Sequence, residues 1–208
     1  MAKTEIIGLF PTPLMVCRGV LGPDLVTGMV DHYDASEKGA NVRTALLSHT
    51  PMTRPGASNI YQAVLSKAAP MITEFGETIL GERLNWGVKE IWINRMETGG
   101  AQKLHNHANS FISGIIYLSE SHEGSLTMFH RPTQTNSFVM TNENKNTKMT
   151  AFNASVFRAP QVGPGDMILF PSYILHEVPP NQGGSRMTAA FNALPERVDS
   201  WGYTVRFK

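Results

Sequence analysis

A chain of 208 residues with 18 basic and 17 acidic side chains carries a formal charge of +1. That balance leaves no electrostatic footprint for nucleic acid as a partner. No run approaches the 18 or so apolar residues of a membrane span, and the single cysteine, Cys17, excludes an intrachain disulfide and suits a reducing, cytoplasmic setting.

From residue 22 to 82 the pattern is helical. Leu25, Val26, Met29, Val30 and Tyr33 share one face of a segment Asp24 to Lys38. Beyond a loop holding Pro51, Pro55 and Gly56, Ser58 is placed to cap a second helix. Its stripe runs Ile60, Val64, Leu65, Ala68, Met71, Ile72, Phe75, Ile79 and Leu80. Pro70 lies inside the stripe and predicts a kink or break; Gly81 predicts the stop.

From Asn85 the character changes. Short runs rich in Val, Ile, Phe, Tyr and Trp alternate with Gly, Pro, Asn and Ser, as in a sandwich or barrel. The runs predict strands at 88–96, 111–119, 125–130, 155–158, 166–170, 176–178, 186–192 and 203–207. About eight strands is the number an eight-stranded jelly roll needs. The reading is therefore mainly β with flanking helices, one domain over 1–208, in which 1–84 packs as a helical extension on a jelly-roll core at 85–208. The Asn- and Thr-rich stretch 133–152 is too polar for core and reads as a lid or extended hairpin.

Among seven histidines, three stand in a suggestive context. His105 and His107 are two apart, so on extended backbone they project from one face and can converge on one point. Neutral imidazole suits Fe, Zn, Cu or Ni, although an H-x-H alone is a weak signal. The segment GPGDMILFPSYILHEVPPNQGGSRMTAAFN is more specific. A Gly-Pro-Gly-Asp turn leads an apolar strand, His176 opens the next, and Arg186 follows ten positions later across a Pro- and Gly-rich bridge. Turn chemistry there predicts that the strands of His176 and Arg186 pair as a hairpin-like unit. A guanidinium is a fixed fork for a carboxylate, and burying one is costly unless an anion meets it. Trp92 is assigned to core. His122 and His130 are read as locally satisfied, Asp166 as turn chemistry, and Cys17 as no nucleophile.

His105-x-His107, then SGIIYL, PGD-x3-FPS-x3-HEV, Arg186 and FN resemble the iron(II)- and 2-oxoglutarate-dependent oxygenases, and within them a group found in phages and bacteria. LFPTPL and IWINRME extend the similarity over most of the chain. The resemblance implies a double-stranded β-helix, a cupin-like jelly roll. It implies Fe(II) held by His105, His107 and His176, and 2-oxoglutarate as cosubstrate with its distal carboxylate on Arg186. Tyr117 would be a hydroxyl partner, with Asn94 and Asn192 as contacts of the cosubstrate or its surroundings. The implied reaction consumes O2, hydroxylates an unidentified substrate and releases succinate and CO2, in the cytoplasm of the cell or of a phage host.

One position departs from the superfamily pattern, H-x-D/E…H, which places a carboxylate where this chain has His107. Three imidazoles leave a ferrous site more positive by one unit. Two histidines completed by water, or by the Asn109 amide oxygen, is the alternative ligand set. Two other functions compete: a three-histidine cupin dioxygenase that uses no 2-oxoglutarate, and a non-catalytic jelly-roll binding or virion-associated protein. Arg186 with Tyr117 separates the first competitor, because an enzyme that binds no dicarboxylate has little use for a buried fork.

Overall fold

The structure, a computed structural model, describes residues 2–41, 46–132 and 142–207. Strand β1 (Met15–Cys17) is followed by α1 (Pro23–Ala35), β2 (Gly39–Ala40), β3 (Leu47–His49) and α2 (Asn59–Leu80). Then come β4 (Trp86–Met96), β5 (Gln102–His105), β6 (Ile112–Tyr117), β7 (Met128–His130), β8 (Val156–Arg158) and β9 (Met167–Pro171). The chain ends with β10 (His176–Val178), β11 (Arg186–Pro195), β12 (Arg197–Ser200) and β13 (Tyr203–Arg206).

Helix α1 opens with proline in its first turn, where the missing N–H costs nothing. It stops at Ser36, short of the expected Lys38, because the Ser36 N–H turns back to the Tyr33 carbonyl. Helix α2 runs unbroken through Pro70, against expectation. Ser66 and Pro70 are both exposed, so water can meet the Ser66 carbonyl that proline leaves without a partner. Meanwhile Val64, Leu65, Ala68, Ile72 and Phe75 stay in one core on the opposite side. Gly81 ends the helix as expected, at φ 73°, with its N–H on the Glu77 carbonyl at 2.8 Å.

The strands form a seven-stranded sheet, β1-β9-β6-β11-β4-β3-β2, facing a four-stranded sheet, β5-β10-β7-β8, with β12 and β13 as a separate hairpin. This is the jelly-roll architecture, mainly β with two helices outside. The first 49 residues supply strands β1, β2 and β3 to the large sheet as well as helix α1. The alternation along β4 and β11 sorts the two faces. Ile91, Ile93, Ala189, Phe191 and Ala193 pack outward with the helices. Glu90, Trp92, Asn94 and Met96, with Arg186, Thr188, Ala190 and Asn192, face the other way.

That inner face is laid out in rows set by register. Leu47, Met96 and Arg186 are neighbours in the first row, and His49, Asn94, Thr188 and Tyr117 in the second. Trp92, Ala190, Ile115 and Ile168 make the third, and Glu90, Asn192, Ser113 and Phe170 the fourth. Successive rows are two residues apart along the strands, about 6.8 Å.

The expected pairing of the His176 and Arg186 strands does not occur. Strand β10 pairs with β5 and β7, whereas β11 pairs with β4 and β6. The bridge from Pro179 to Ser185 crosses between sheets instead of reversing within one. Asn181 pins it there: its N–H donates to the Gly100 carbonyl at 2.7 Å, and its carbonyl accepts from Gly99 N–H at 2.7 Å. The consequence favours chemistry, because His176 and Arg186 then approach one cavity from opposite walls.

Gly114 in β6 lies under the fully buried Phe191, and a Cβ there would stand 2.1 Å from the ring. Such overpacking costs about 1–3 kcal/mol, more than alanine regains from the unfolded chain. Gly114→Ala is therefore expected to lower the urea midpoint without abolishing the fold.

Candidate functional site

The cavity between the sheets has a volume of about 220 Å3. Leu47, Met96 and Val178 form a small apolar cluster that closes its Arg186 end. Asn41, His49, Met52 and Gln102 line the side where β5 and the β2–β3 edge stand apart. Among the described residues no Asp or Glu lines it.

His105, His107 and His176 all line this cavity. One ligand nitrogen from each lies within 4.8 Å of the others, and the ring centroids are 4.3 to 5.2 Å apart. Two imidazoles bound at about 2.1 Å to one ion can stand no more than about 4.2 Å apart, so a shift below 1 Å closes the set. His105 and His176 face each other because β5 and β10 pair them in register. His107 follows β5 and is drawn in by its N–H on the Ser172 carbonyl at 3.0 Å.

The rings are prepared for a cation. The Nδ1 of His105 is 2.7 Å from the Lys103 carbonyl, and that of His176 is 2.9 Å from the Ile174 carbonyl. A carbonyl only accepts, so each Nδ1 carries the proton and each Nε2 keeps its lone pair for the cavity. Burial lowers the basicity of all three. It pushes His107 down to about 4, helped by His105, while Glu90 opposes the shift. It pushes His176 down to about 3, again helped by His105. His105 is lowered by burial, with the Lys103 carbonyl opposing.

Arg186 lies across the cavity, 4% exposed. Its Nε and Nη2 are buried without a hydrogen-bond partner, and no ion pair engages it among the described residues. Burial lowers its basicity, and the Tyr117 phenol opposes that most. Its guanidinium carbon stands 5.3 Å from the Tyr117 ring centroid. Two fork nitrogens with nothing to bind, facing three imidazoles, fit a ligand that bridges metal and arginine through carboxylates.

The remaining expected residues divide. Asn94 lines the cavity beside Thr188. Tyr117, fully buried, sits behind Arg186 with its hydroxyl 3.5 Å from Thr127 Oγ1 and does not line the cavity. Asn192 does not line it either. Its Oδ1 accepts from Ser113 Oγ at 2.8 Å and its Nδ2 donates to Glu90 Oε1 at 2.7 Å, so both ends of the amide are engaged. Asn109 is exposed and outside the lining. Trp92 is buried as expected, yet it is also a cavity wall, 5.9 Å from His107 between centroids. Glu177 faces away from the cavity and pairs with His130 at 3.0 Å. His122 Nδ1 accepts from Gly124 N–H, and Asp166 binds Arg18, Gly19 N–H and Gly163 N–H. His49 and Thr188 were not singled out from sequence. The only signal for Thr188 is its position two residues beyond Arg186, and His49 sits in a three-residue strand without a pattern.

Comparisons with known proteins bear on the family and the fold. Residues 90–192 match the sequence profile of a family described as "Putative 2OG-Fe(II) oxygenase". Over this stretch, 103 of 208 residues, the chain is similar to the 2OG-Fe(II) oxygenases. No curated protein sequence matches it. In fold it is similar to HygX from Streptomyces hygroscopicus, solved with nickel, 2-oxoglutarate and hygromycin B, at 15% identity and TM-score 0.63 over 88% of this chain and 83% of that one. SnoN, a non-heme α-ketoglutarate-dependent epimerase from nogalamycin biosynthesis, matches at 10% identity and TM-score 0.64, covering 89% and 80%. A Pseudomonas putida prolyl-4-hydroxylase matches at 17% identity and TM-score 0.56, covering 87% and 92%. The stretch 133–141 of the expected lid lies outside the described residues, and residues 142–153 are mostly exposed, without helix or strand. No helix among the described residues is long and apolar enough to cross a membrane.

Neutral buried histidines make the metal-free protein acid-sensitive. Unfolding restores them toward the ordinary value of 6.5, so between about pH 6.5 and 4 the unfolded chain binds protons that the folded chain does not. Stability therefore falls as pH falls through that window. The urea midpoint of metal-free protein is expected to drop from pH 7 to pH 5, and to drop less in His176→Gln.

Proposed function

We propose that this chain is an Fe(II)- and 2-oxoglutarate-dependent dioxygenase that hydroxylates a substrate entering between β5 and the β2–β3 edge. His105, His107 and His176 would hold the metal through imidazole nitrogens, and Arg186 the distal carboxylate of 2-oxoglutarate. The carrying observation is the unpartnered guanidinium fork, which shares one cavity with three converging imidazoles. It also weighs against a three-histidine enzyme that uses no dicarboxylate. The donor set fits the group, because buried neutral imidazoles accept a divalent ion without first shedding protons.

When bound, the ferrous ion supplies O2 activation coupled to conversion of 2-oxoglutarate to succinate and CO2, one oxygen atom going to succinate and the other to a substrate C–H. The protein's part is orientation and exclusion. Arg186 neutralises the distal carboxylate in a place water cannot reach, and Tyr117 backs the guanidinium. Asn94 and Thr188 offer polar groups along the path from arginine to metal. Leu47, Met96 and Val178 shut the far end against solvent, and Trp92 and Phe170 hold the imidazoles from the sheet side. Cys17 and the near-neutral charge fit a cytoplasmic enzyme whose substrate is not nucleic acid.

Anaerobic iron titration followed by succinate measurement tests the reading. His176→Ala is expected to lose iron and turnover together; wild-type iron content in that variant would remove His176 from the site. Arg186→Met loses a charged contact of about 1.5–3 kcal/mol. The 2-oxoglutarate requirement is then expected to rise roughly 10- to 150-fold, whereas an unchanged requirement would remove Arg186.

A further inference from the structure

Four hydrogen-bonding side chains lie in a line at the His107 end of the inner face. Glu90 Oε1 accepts from Asn192 Nδ2 at 2.7 Å, and Asn192 Oδ1 accepts from Ser113 Oγ at 2.8 Å. Ser113 Oγ lies 2.9 Å from Ser172 Oγ, and the Ser172 carbonyl takes the His107 N–H. Asn192, Ser113 and Ser172 are essentially inaccessible, at 1%, 2% and 0% exposure. The line joins β4, β11, β6 and the corner after β9, and a carboxylate terminates it. A second tie brings that carboxylate's own strand to the same loop: Lys89 Nζ donates to the Asn109 carbonyl at 3.3 Å.

His107 differs from the other two histidines. His105 and His176 have their rings set by a backbone carbonyl on Nδ1, whereas no such bond to the His107 ring occurs among the described residues. Its ring rests between Trp92 and the two other imidazoles. Its placement then depends on its backbone, which Ser172 holds, and on the charge of its surroundings. Glu90 is two residues from Trp92 on the same face of β4, and Lys89 Nζ stands 3.4 Å from its Oε1, so that cation screens the carboxylate in part. Among the described residues no acidic side chain lines the cavity itself.

We infer that Glu90 is a positioning residue for the metal centre: through Asn192, Ser113 and Ser172 it fixes the His107 loop, and it supplies from outside the ligand set the negative charge that three imidazoles lack. This rests on the reading of His107 as a metal ligand. Its chemistry is that of a fixed anion near a cation, which favours the higher oxidation state of a bound ion and raises metal affinity.

The test compares wild type, Glu90→Gln and Lys89→Met as full-length protein, measuring Fe(II) affinity under anaerobic conditions and the Fe(III)/Fe(II) midpoint potential. Glutamine keeps the oxygen that accepts from Asn192, so the line survives and only the charge is lost. Glu90→Gln is expected to bind Fe(II) about tenfold more weakly. It should also favour Fe(II) over Fe(III) about tenfold more, a rise of about 59 mV for a one-electron couple. Lys89→Met removes the competing cation and is expected to move the potential the other way. Wild-type protein that takes up no iron contradicts the site reading itself. Normal iron uptake with an unmoved potential in Glu90→Gln overturns the inference and leaves the site reading intact. Should Glu90→Gln fail to fold, a Lys89→Met potential at or above the wild-type value overturns it.

Discussion

A guanidinium that cannot shed its proton, buried with two nitrogens unpartnered, is the constraint around which this protein is arranged. Taking a charge out of water costs several kcal/mol unless an opposite charge or full hydrogen bonding replaces the solvent. Here the chain supplies neither, although it has 17 acidic residues to draw on. Several of those already pair with cations at the surface. The fold thus holds a standing demand for an external anion at one end of an otherwise uncharged cavity. Register then decides what that anion can reach, because Arg186 begins the row sequence that ends beneath the imidazoles.

The histidine cluster answers with the opposite preparation. Burial keeps the imidazoles neutral, and backbone carbonyls choose the tautomer for two of them. The local cost is borne by packing: the two helices cover the outer face of the large sheet and bury Ile91, Ile93 and Phe191, each worth up to about 3 kcal/mol. Outer packing fixes strand order and register, and these in turn fix which polar side chains share a row. The proposed reaction needs both walls at once, one with an unpartnered guanidinium and one with three converging imidazoles.

Much of this was readable from residue order. The apolar stripe of α2, the Gly81 stop and the strand-rich second half follow from periodicity and turn residues, and the three histidines with Arg186 follow from a long motif. Other parts were not readable for physical reasons. Strands β1, β2, β3 and β5 span two to four residues, too few to show a period of two. The unbroken α2 depends on Pro70 facing water, which a tertiary contact decides. The bridge after Val178 carries the turn residues of a hairpin, and only the Asn181 bonds to Gly99 and Gly100 make it a crossing between sheets. Asn192 was marked by its place in the motif, yet its amide serves Glu90 and Ser113 and never reaches the cavity. Glu90 itself sits in a strand of mixed polarity where no local pattern distinguishes it from a solvated residue.

A crystal structure grown without oxygen in the presence of Mn(II) and 2-oxoglutarate bears most directly on the central claim. The account predicts anomalous density bonded to nitrogens of His105, His107 and His176, with a carboxylate lying in the plane of the Arg186 fork. Metal bound elsewhere, or Arg186 turned onto a carboxylate of the protein with the cavity free of dicarboxylate, would contradict it.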